Sequence, residues 1–184
     1  MPPNRPTRAP AVKVWDREIR THAQQRRVLW SIIQKYSGDP ALISFVAALI
    51  RRNKIPGNDY AGIAKCLQSW VTAHIKFFRE FPERFASPMR TLKWGIGDCD
   101  DRSILVGAAL RGFRVPVKLR FVRYLQPQTN ERKSHVYPLA KLNDKWVALE
   151  TVRKVPFGFD PLEKLRKLGV KILAVEEIGD TNGT

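Results

Sequence analysis

Residues Trp94–Pro116 read WGIGDCDDRSILVGAALRGFRVP, a cysteine set between acidic residues at the head of an apolar helix, and the architecture of the chain follows from them. Gly95 and Gly97 permit a tight, closely approaching backbone, Asp98 suits an N-cap, and Asp100 and Asp101 place carboxylates where a helix N-terminus favours them. The helix is expected to start at or near Cys99. Ile104, Leu105, Ala108 and Ala109 supply an apolar face, Gly112 is placed as the C′ residue, and Pro116 blocks continuation. A first-turn thiol lies beside unpaired N–H groups and the positive end of the helix dipole, which stabilise a thiolate, although three neighbouring aspartates oppose it. Cys99 reads as a nucleophile that needs a base.

Downstream the period changes from helical to alternating. Val117, Leu119 and Phe121 alternate with Lys118, Arg120 and, after a slip, Arg123, predicting a strand with one basic face. A polar loop over residues 126–134 leads into HVYPLAKL, the pair Asn143-Asp144, and KWVALETV, which predicts a hairpin with a two-residue turn. If Leu142 faces Lys145, Tyr137 faces Glu150 and His135 faces Val152, so His135 and Glu150 become diagonal neighbours on one face. A three-residue loop would shift the register by one and send Glu150 to the other face. Pro138 indicates that its N–H side lies outside a regular central ladder. Beyond the hairpin, Phe157–Phe159 reads as a loop, Asp160-Pro161 starts a short helix to Leu168, Gly169 stops it, and Val170–Val175 suits an edge strand. The tail, residues 179–184, is expected to fray.

Upstream, residues 79–93 contain Pro82 and Pro88 and read as an irregular crossing. Before it lies a regular amphipathic helix with Tyr60, Ile63, Ala64, Leu67, Trp70, Val71, His74, Ile75 and Phe78 on its apolar stripe. His74 is expected there as a packed, hydrogen-bonded core residue and Cys66 as an inert thiol. The turn Ile55–Asn58 separates this helix from one capped by Asp39, begun by Pro40 and reaching Arg52. An earlier helix spans about Val14 to Tyr36 and ends at Gly38. Residues 1–11, with four prolines and two arginines, are expected to form a flexible arm.

At 184 residues and 43% hydrophobic content, the chain suits one domain over residues 12–178, with a core large enough to need no disulfide or metal. It has two cysteines, no CxxC or Cys/His metal spacing, and no nucleotide-binding glycine loop, so neither a metal nor a cofactor is expected. The internal apolar run Ala41–Ile50 is too short to span a bilayer, which predicts no membrane span and a cytoplasmic protein. Thirty-three Lys and Arg against seventeen Asp and Glu give a formal charge of +16. Such a surface would suit a nucleic acid, a cell-wall polymer or an acidic protein, but the basic residues are spread over nearly every segment and no RNA-binding or zinc-finger motif interleaves them.

A thiol at a helix start, a histidine on a strand and a carboxylate on the next are the parts of a Cys-His-acid nucleophilic site. The expected chemistry is acyl transfer on a protein or peptide amide, through a thioester resolved by water or by an amine. The competing reading is a non-catalytic structural or assembly module of the same fold, or a basic nucleic-acid-associated protein.

GDCDDRSILVGAALRGFRVPVKLRFV followed by SHVYPLAKLNDKWVALE resembles the transglutaminase-like superfamily, over about Ala61 to Leu162. The resemblance implies an α+β fold, with an N-terminal helical layer and the cysteine helix packed on a small, mostly antiparallel sheet from residues 115 to 178. It implies Cys99 as nucleophile, His135 as base and Glu150 where the family usually has aspartate, with Asp144 and Asp160 as further candidates for the acid. For the family's oxyanion-stabilising side chain, often placed before the cysteine, Trp94 and Trp70 are candidates, Trp70 lying on the apolar stripe. Asp98 and Asp100 are supporting residues. The run FPERFASPMRTLKWGIGDCDD further resembles small phage- and prophage-encoded members, which would imply virion assembly and a place in the virion.

Overall fold

A computed structural model of the chain describes residues 21–78 and 85–181. The proline-rich arm, the Val14–Arg20 start of the first predicted helix, residues 79–84 of the crossing and residues 182–184 of the tail lie outside them. The first helix, α1 (His22–Tyr36), opens on a capping box in which the Thr21 hydroxyl and the Gln24 side chain each accept the other residue's backbone N–H. The second, α2 (Pro40–Arg52), has the predicted Asp39 cap, and α3 (Tyr60–His74) is capped by Asp59.

The amphipathic stripe of α3 runs past the helix it belongs to. Ile75 is already extended, and Lys76–Phe77 form a short strand, β1, parallel to β2 (Ile96–Gly97) in the cysteine loop. The Lys76 N–H donates to Gly95 O at 2.7 Å and the Phe78 N–H to Gly97 O at 3.3 Å. Ile63, Ala64, Leu67, Val71 and Ile75 are buried as the stripe requires, but Tyr60, His74 and Phe78 are exposed. His74 is therefore not the core residue expected; it stacks on Trp70 at 4.6 Å, and its Nδ1 shares a hydrogen bond with Trp70 O.

The crossing contains a seven-residue helix, α4 (Pro88–Trp94), where the sequence suggested irregular chain. The Ser87-Pro88 pair starts it as cap and first residue, and Gly95, at φ 63°, ends it in the left-handed conformation that glycine adopts without strain.

The cysteine helix, α5 (Cys99–Gly112), starts where the sequence placed it: Asp98 Oδ1 accepts the N–H groups of Asp100 at 2.9 Å and Asp101 at 3.2 Å. It is buried on every side from Asp100 to Leu110, between the helices and the sheet, rather than along one apolar face. Gly112 is its last residue and not the C′ position; Arg114, at φ 62°, takes the left-handed conformation instead. A Cβ on Gly112 would lie 2.5 Å from Ser37 O, so glycine serves close approach to the end of α1.

The main sheet has the order β5-β4-β3-β6, all antiparallel, from β3 (Val117–Leu125), β4 (Arg132–Leu142), β5 (Lys145–Ala148) and β6 (Ile172–Gly179). Leu119 and Val136 pack with Leu29, Ile32 and Ile33 of α1 and with Ile104 of α5. On the other face Val122, Tyr137, Leu139 and Ala148 pack with Leu162 of α6 (Pro161–Lys167). Both faces are covered, which is why burial along β3 passes from Leu119 to Val122. The result is the expected α+β arrangement. The tail is tied down further than expected: the Asp180 N–H donates to Val117 O at 2.9 Å, and its carboxylate accepts the Val117 N–H at 3.0 Å and pairs with Arg111 at 3.2 Å.

Candidate active site

Asn143 and Asp144 both have positive φ, 48° and 61°, as a two-residue type I′ turn requires. Leu142 accordingly pairs with Lys145. The regular ladder between β4 and β5 stops at Leu139 and Ala148, and Pro138 supplies the reason. Its carbonyl accepts the Leu149 N–H at 2.9 Å, but it has no N–H to return.

Released from the ladder, the chain turns at Glu150. Oε1 accepts the N–H groups of Val152 at 2.6 Å and Arg153 at 3.2 Å, while Oε2 lies 2.8 Å from Nε2 of His135. The extra methylene of glutamate is accommodated because the carboxylate caps its own turn as well as meeting the imidazole. Glu150 is 2% exposed. Burial alone would raise its pKa, but the hydrogen bond and charge of His135 and the two N–H donors outweigh burial and hold it below the ordinary carboxylate value.

A carboxyl more acidic in the folded than in the unfolded chain contributes stability that is present above the unfolded-state pKa and is lost as pH falls through the folded-state pKa. The stability gap between wild type and Glu150→Gln, read by urea unfolding from about pH 7 to about pH 3, is expected to narrow with acid. A gap independent of pH would contradict the ionised, hydrogen-bonded carboxylate.

The other two acid candidates are occupied elsewhere. The Asp144 side chain is 97% exposed in the hairpin turn, 3.6 Å from Lys141. Asp160 caps α6, accepting the Leu162 N–H at 2.9 Å, and also accepts the Tyr137 hydroxyl at 2.6 Å and Arg120 at 2.7 Å. Burial and Asp160 together push the Tyr137 hydroxyl well above its ordinary pKa.

Cys99 is half-buried and packs on the cluster containing Leu119 and Val136. Val136 adjoins His135, and its carbonyl accepts the Ser103 hydroxyl of α5 at 3.2 Å, fixing β4 against the cysteine helix. A second tie, which the sequence reading did not single out, is Arg102. Only 2% exposed, it donates from Nε to Gly97 O at 3.3 Å, from one terminal nitrogen to Thr151 O at 2.6 Å, and from the other to Ile75 O. One guanidinium thus joins the end of α3, the cysteine loop and the Glu150 turn. Burial lowers its pKa, while the charges of Glu150, Asp98 and Cys99 draw it back up. An arginine three residues after the cysteine, inside a helix otherwise rich in Ile, Leu, Val and Ala, was the available signal.

Asp98 and Asp100 hold the start of α5. The Asp98 carboxylate is its cap, and Asp100 accepts Nε2 of Gln25 from α1 at 3.1 Å. Asp101 accepts the Ala86 N–H at 2.7 Å. Trp94 closes α4 with the Arg90 guanidinium 4.1 Å over its ring, and Trp70 packs edge-on against Phe45 at 4.8 Å. Among the described residues, no group of three or more His, Cys, Asp or Glu side chains could hold a metal ion, and no helix is long and apolar enough to cross a membrane.

The two thiols are expected to differ in reactivity. Burial pushes the Cys66 thiol above its ordinary pKa, whereas Cys99 sits at a helix start beside a fixed cation. Brief iodoacetamide treatment followed by peptide mass mapping should modify Cys99 first. Equal labelling, or preference for Cys66, would contradict an activated Cys99.

A search of curated proteins finds no match. Among solved structures, the chain is similar to a candidate cysteine protease from Cytophaga hutchinsonii, with a TM-score of 0.55 and 17% identity over 85% of this chain and 58% of that one. It thus spans little more than half the length of that protein. It is also similar to Legionella pneumophila LapG, with a TM-score of 0.50 and 15% identity over 82% of each chain. These likenesses concern the fold. A family model for the transglutaminase-like superfamily matches residues 46–151, which take in Cys99, His135 and Glu150. The chain belongs to the transglutaminase-like superfamily.

Proposed function

We propose that the protein is a thiol-dependent acyl-transfer enzyme acting on amide bonds of a protein or peptide, with Cys99 as nucleophile, His135 as base and Glu150 as the orienting carboxylate. The observation that carries this reading is the 2.8 Å contact between His135 Nε2 and the buried Glu150 carboxylate. It commits one ring nitrogen to the acid and leaves Nδ1 to exchange a proton with the thiol. An ionised carboxylate at that distance also favours the imidazolium that forms when it does.

In the reaction, Nδ1 takes the Cys99 proton and the thiolate attacks the amide carbonyl carbon, whose π pair moves onto oxygen. Collapse breaks the C–N bond, the imidazolium gives its proton to the departing amine, and a thioester remains on Cys99. Water or a second amine then attacks the thioester, His135 takes its proton, and the cysteine leaves as thiolate. The N-terminus of α5 offers the oxyanion its positive dipole end. Proton transfer requires Nδ1 to reach the sulfur around the β4 edge: alternation turns Val136 toward α5 and His135 toward Tyr137, with ring centroids 5.6 Å apart, at a level where β4 has left its regular pairing with β5.

A peptide-amide library incubated with the protein, followed by intact-mass and peptide mapping, tests the reading. An acyl adduct on Cys99 that water or an added amine discharges is the expected result. A folded protein that forms no adduct and whose biological role survives Cys99→Ala would favour the assembly module, in a virion or elsewhere.

A further inference from the structure

Two consecutive phenylalanines, Phe77 and Phe78, are 52% and 55% exposed although each offers a large apolar surface. They stand beside the nucleophile's own loop. Phe77 pairs with Gly97, two residues before Cys99, and the Phe78 N–H donates to Gly97 O at 3.3 Å. The Phe77 ring lies with its centroid 5.8 Å from the Arg102 guanidinium carbon, within cation–π range. That guanidinium is fixed by the carbonyls of Ile75, Gly97 and Thr151. Phe77 is therefore held against the cysteine loop by its backbone pairing and against Arg102 by its ring, with half its surface open to solvent. Successive residues of an extended strand face opposite ways, so the Phe78 ring turns away from that of Phe77.

From this juxtaposition we infer that the exposed face of Phe77 forms one wall of an apolar subsite that takes a large apolar side chain, Leu or Phe, of the substrate peptide beside the amide bond presented to Cys99. The inference rests on the acyl-transfer reading for the identity of its occupant. An aromatic ring left in water is a recognition element when it borders a reactive group and cannot retreat into the core. The parallel pairing with β2 and the Arg102 contact prevent such a retreat. An apolar occupant would displace water from the Phe77 ring at little ordering cost, because its backbone is already fixed.

Two arms test the subsite separately from the chemistry. In the first, the Cys99→Ala protein is titrated with fluorescein-labelled hexapeptide pools that differ only in carrying Leu or Phe, or Ser or Asp, at the central position. The apolar pools should bind about tenfold more tightly. Phe77→Ala should reduce that ratio to about twofold, whereas Phe78→Ala, on the other face of the strand, and Tyr60→Ala, an exposed aromatic at the opposite end of α3, should leave it intact. In the second arm, the same peptides with a thiol-reactive electrophile at the carbonyl position are timed against wild-type Cys99, and the same ratio is expected. An apolar preference in binding without any Cys99 adduct upholds the subsite and sinks the acyl-transfer reading. Adducts without an apolar preference, a preference that survives Phe77→Ala, or no peptide binding at all would overturn the subsite.

Discussion

Cys99→Ala is expected to remove acyl-adduct formation completely, His135→Ala to slow it about a thousandfold, and Glu150→Gln to slow it about ten- to a hundredfold, all in folded proteins. The order follows from what each group contributes. The thiol supplies the bond to the acyl group, and nothing replaces it. The imidazole supplies the proton transfer, worth about 10²–10⁴ in rate. Glu150 holds that imidazole through Oε2 while Oε1 binds the N–H groups of Val152 and Arg153, and glutamine keeps an oxygen for only one of these tasks. Pseudo-first-order rates with a peptide acyl probe, beside circular-dichroism melts, give the ranking. A Glu150→Gln variant as inactive as His135→Ala while fully folded would contradict an orienting role.

Arg102→Met is expected to destabilise the fold by about 3–5 kcal/mol, among the largest effects available to a single substitution here. The guanidinium donates to Gly97 O, Thr151 O and Ile75 O, so its removal takes that donor from Thr151 O and Ile75 O and leaves Gly97 O with the long hydrogen bond from the Phe78 N–H. Lysine should not rescue it, since one ammonium on a flexible stem cannot span three directions that a planar fork reaches. Urea unfolding measures the loss. A change under about 1 kcal/mol would mean that the three segments are held without the arginine.

How much of this was legible depended on whether the deciding interaction was local. The start of α5 was readable because an Asp cap followed by two acidic residues satisfies helix N–H groups within three positions. The meeting of His135 and Glu150 was readable because a two-residue Asn-Asp turn fixes register and register fixes faces. Pro138 then did more than mark an irregularity, since by ending the ladder it frees Glu150 to turn back.

The failures share a different cause. The stripe through α3 continued to Phe78 because exposed aromatics mimic core residues in a periodicity argument; pairing of Lys76–Phe77 with the cysteine loop, a contact distant in sequence, ended the helix first. Gly112 looked like a helix stop but answers to Ser37 on another helix, and the role of Arg102 depends on carbonyls from segments 27 positions before and 49 after it. No local rule contains those partners.

Whether His135 serves Cys99 as its base can be read without knowing the substrate, from the pH dependence of Cys99 alkylation in wild type and in His135→Ala. A thiol paired with an imidazole at a helix start should react as thiolate well below the ordinary cysteine pKa of about 8.5. The rate should persist as wild type is acidified, and the profile should return toward the ordinary thiol range in His135→Ala. Identical profiles in the two proteins, both rising only in the ordinary thiol range, would contradict that role for His135.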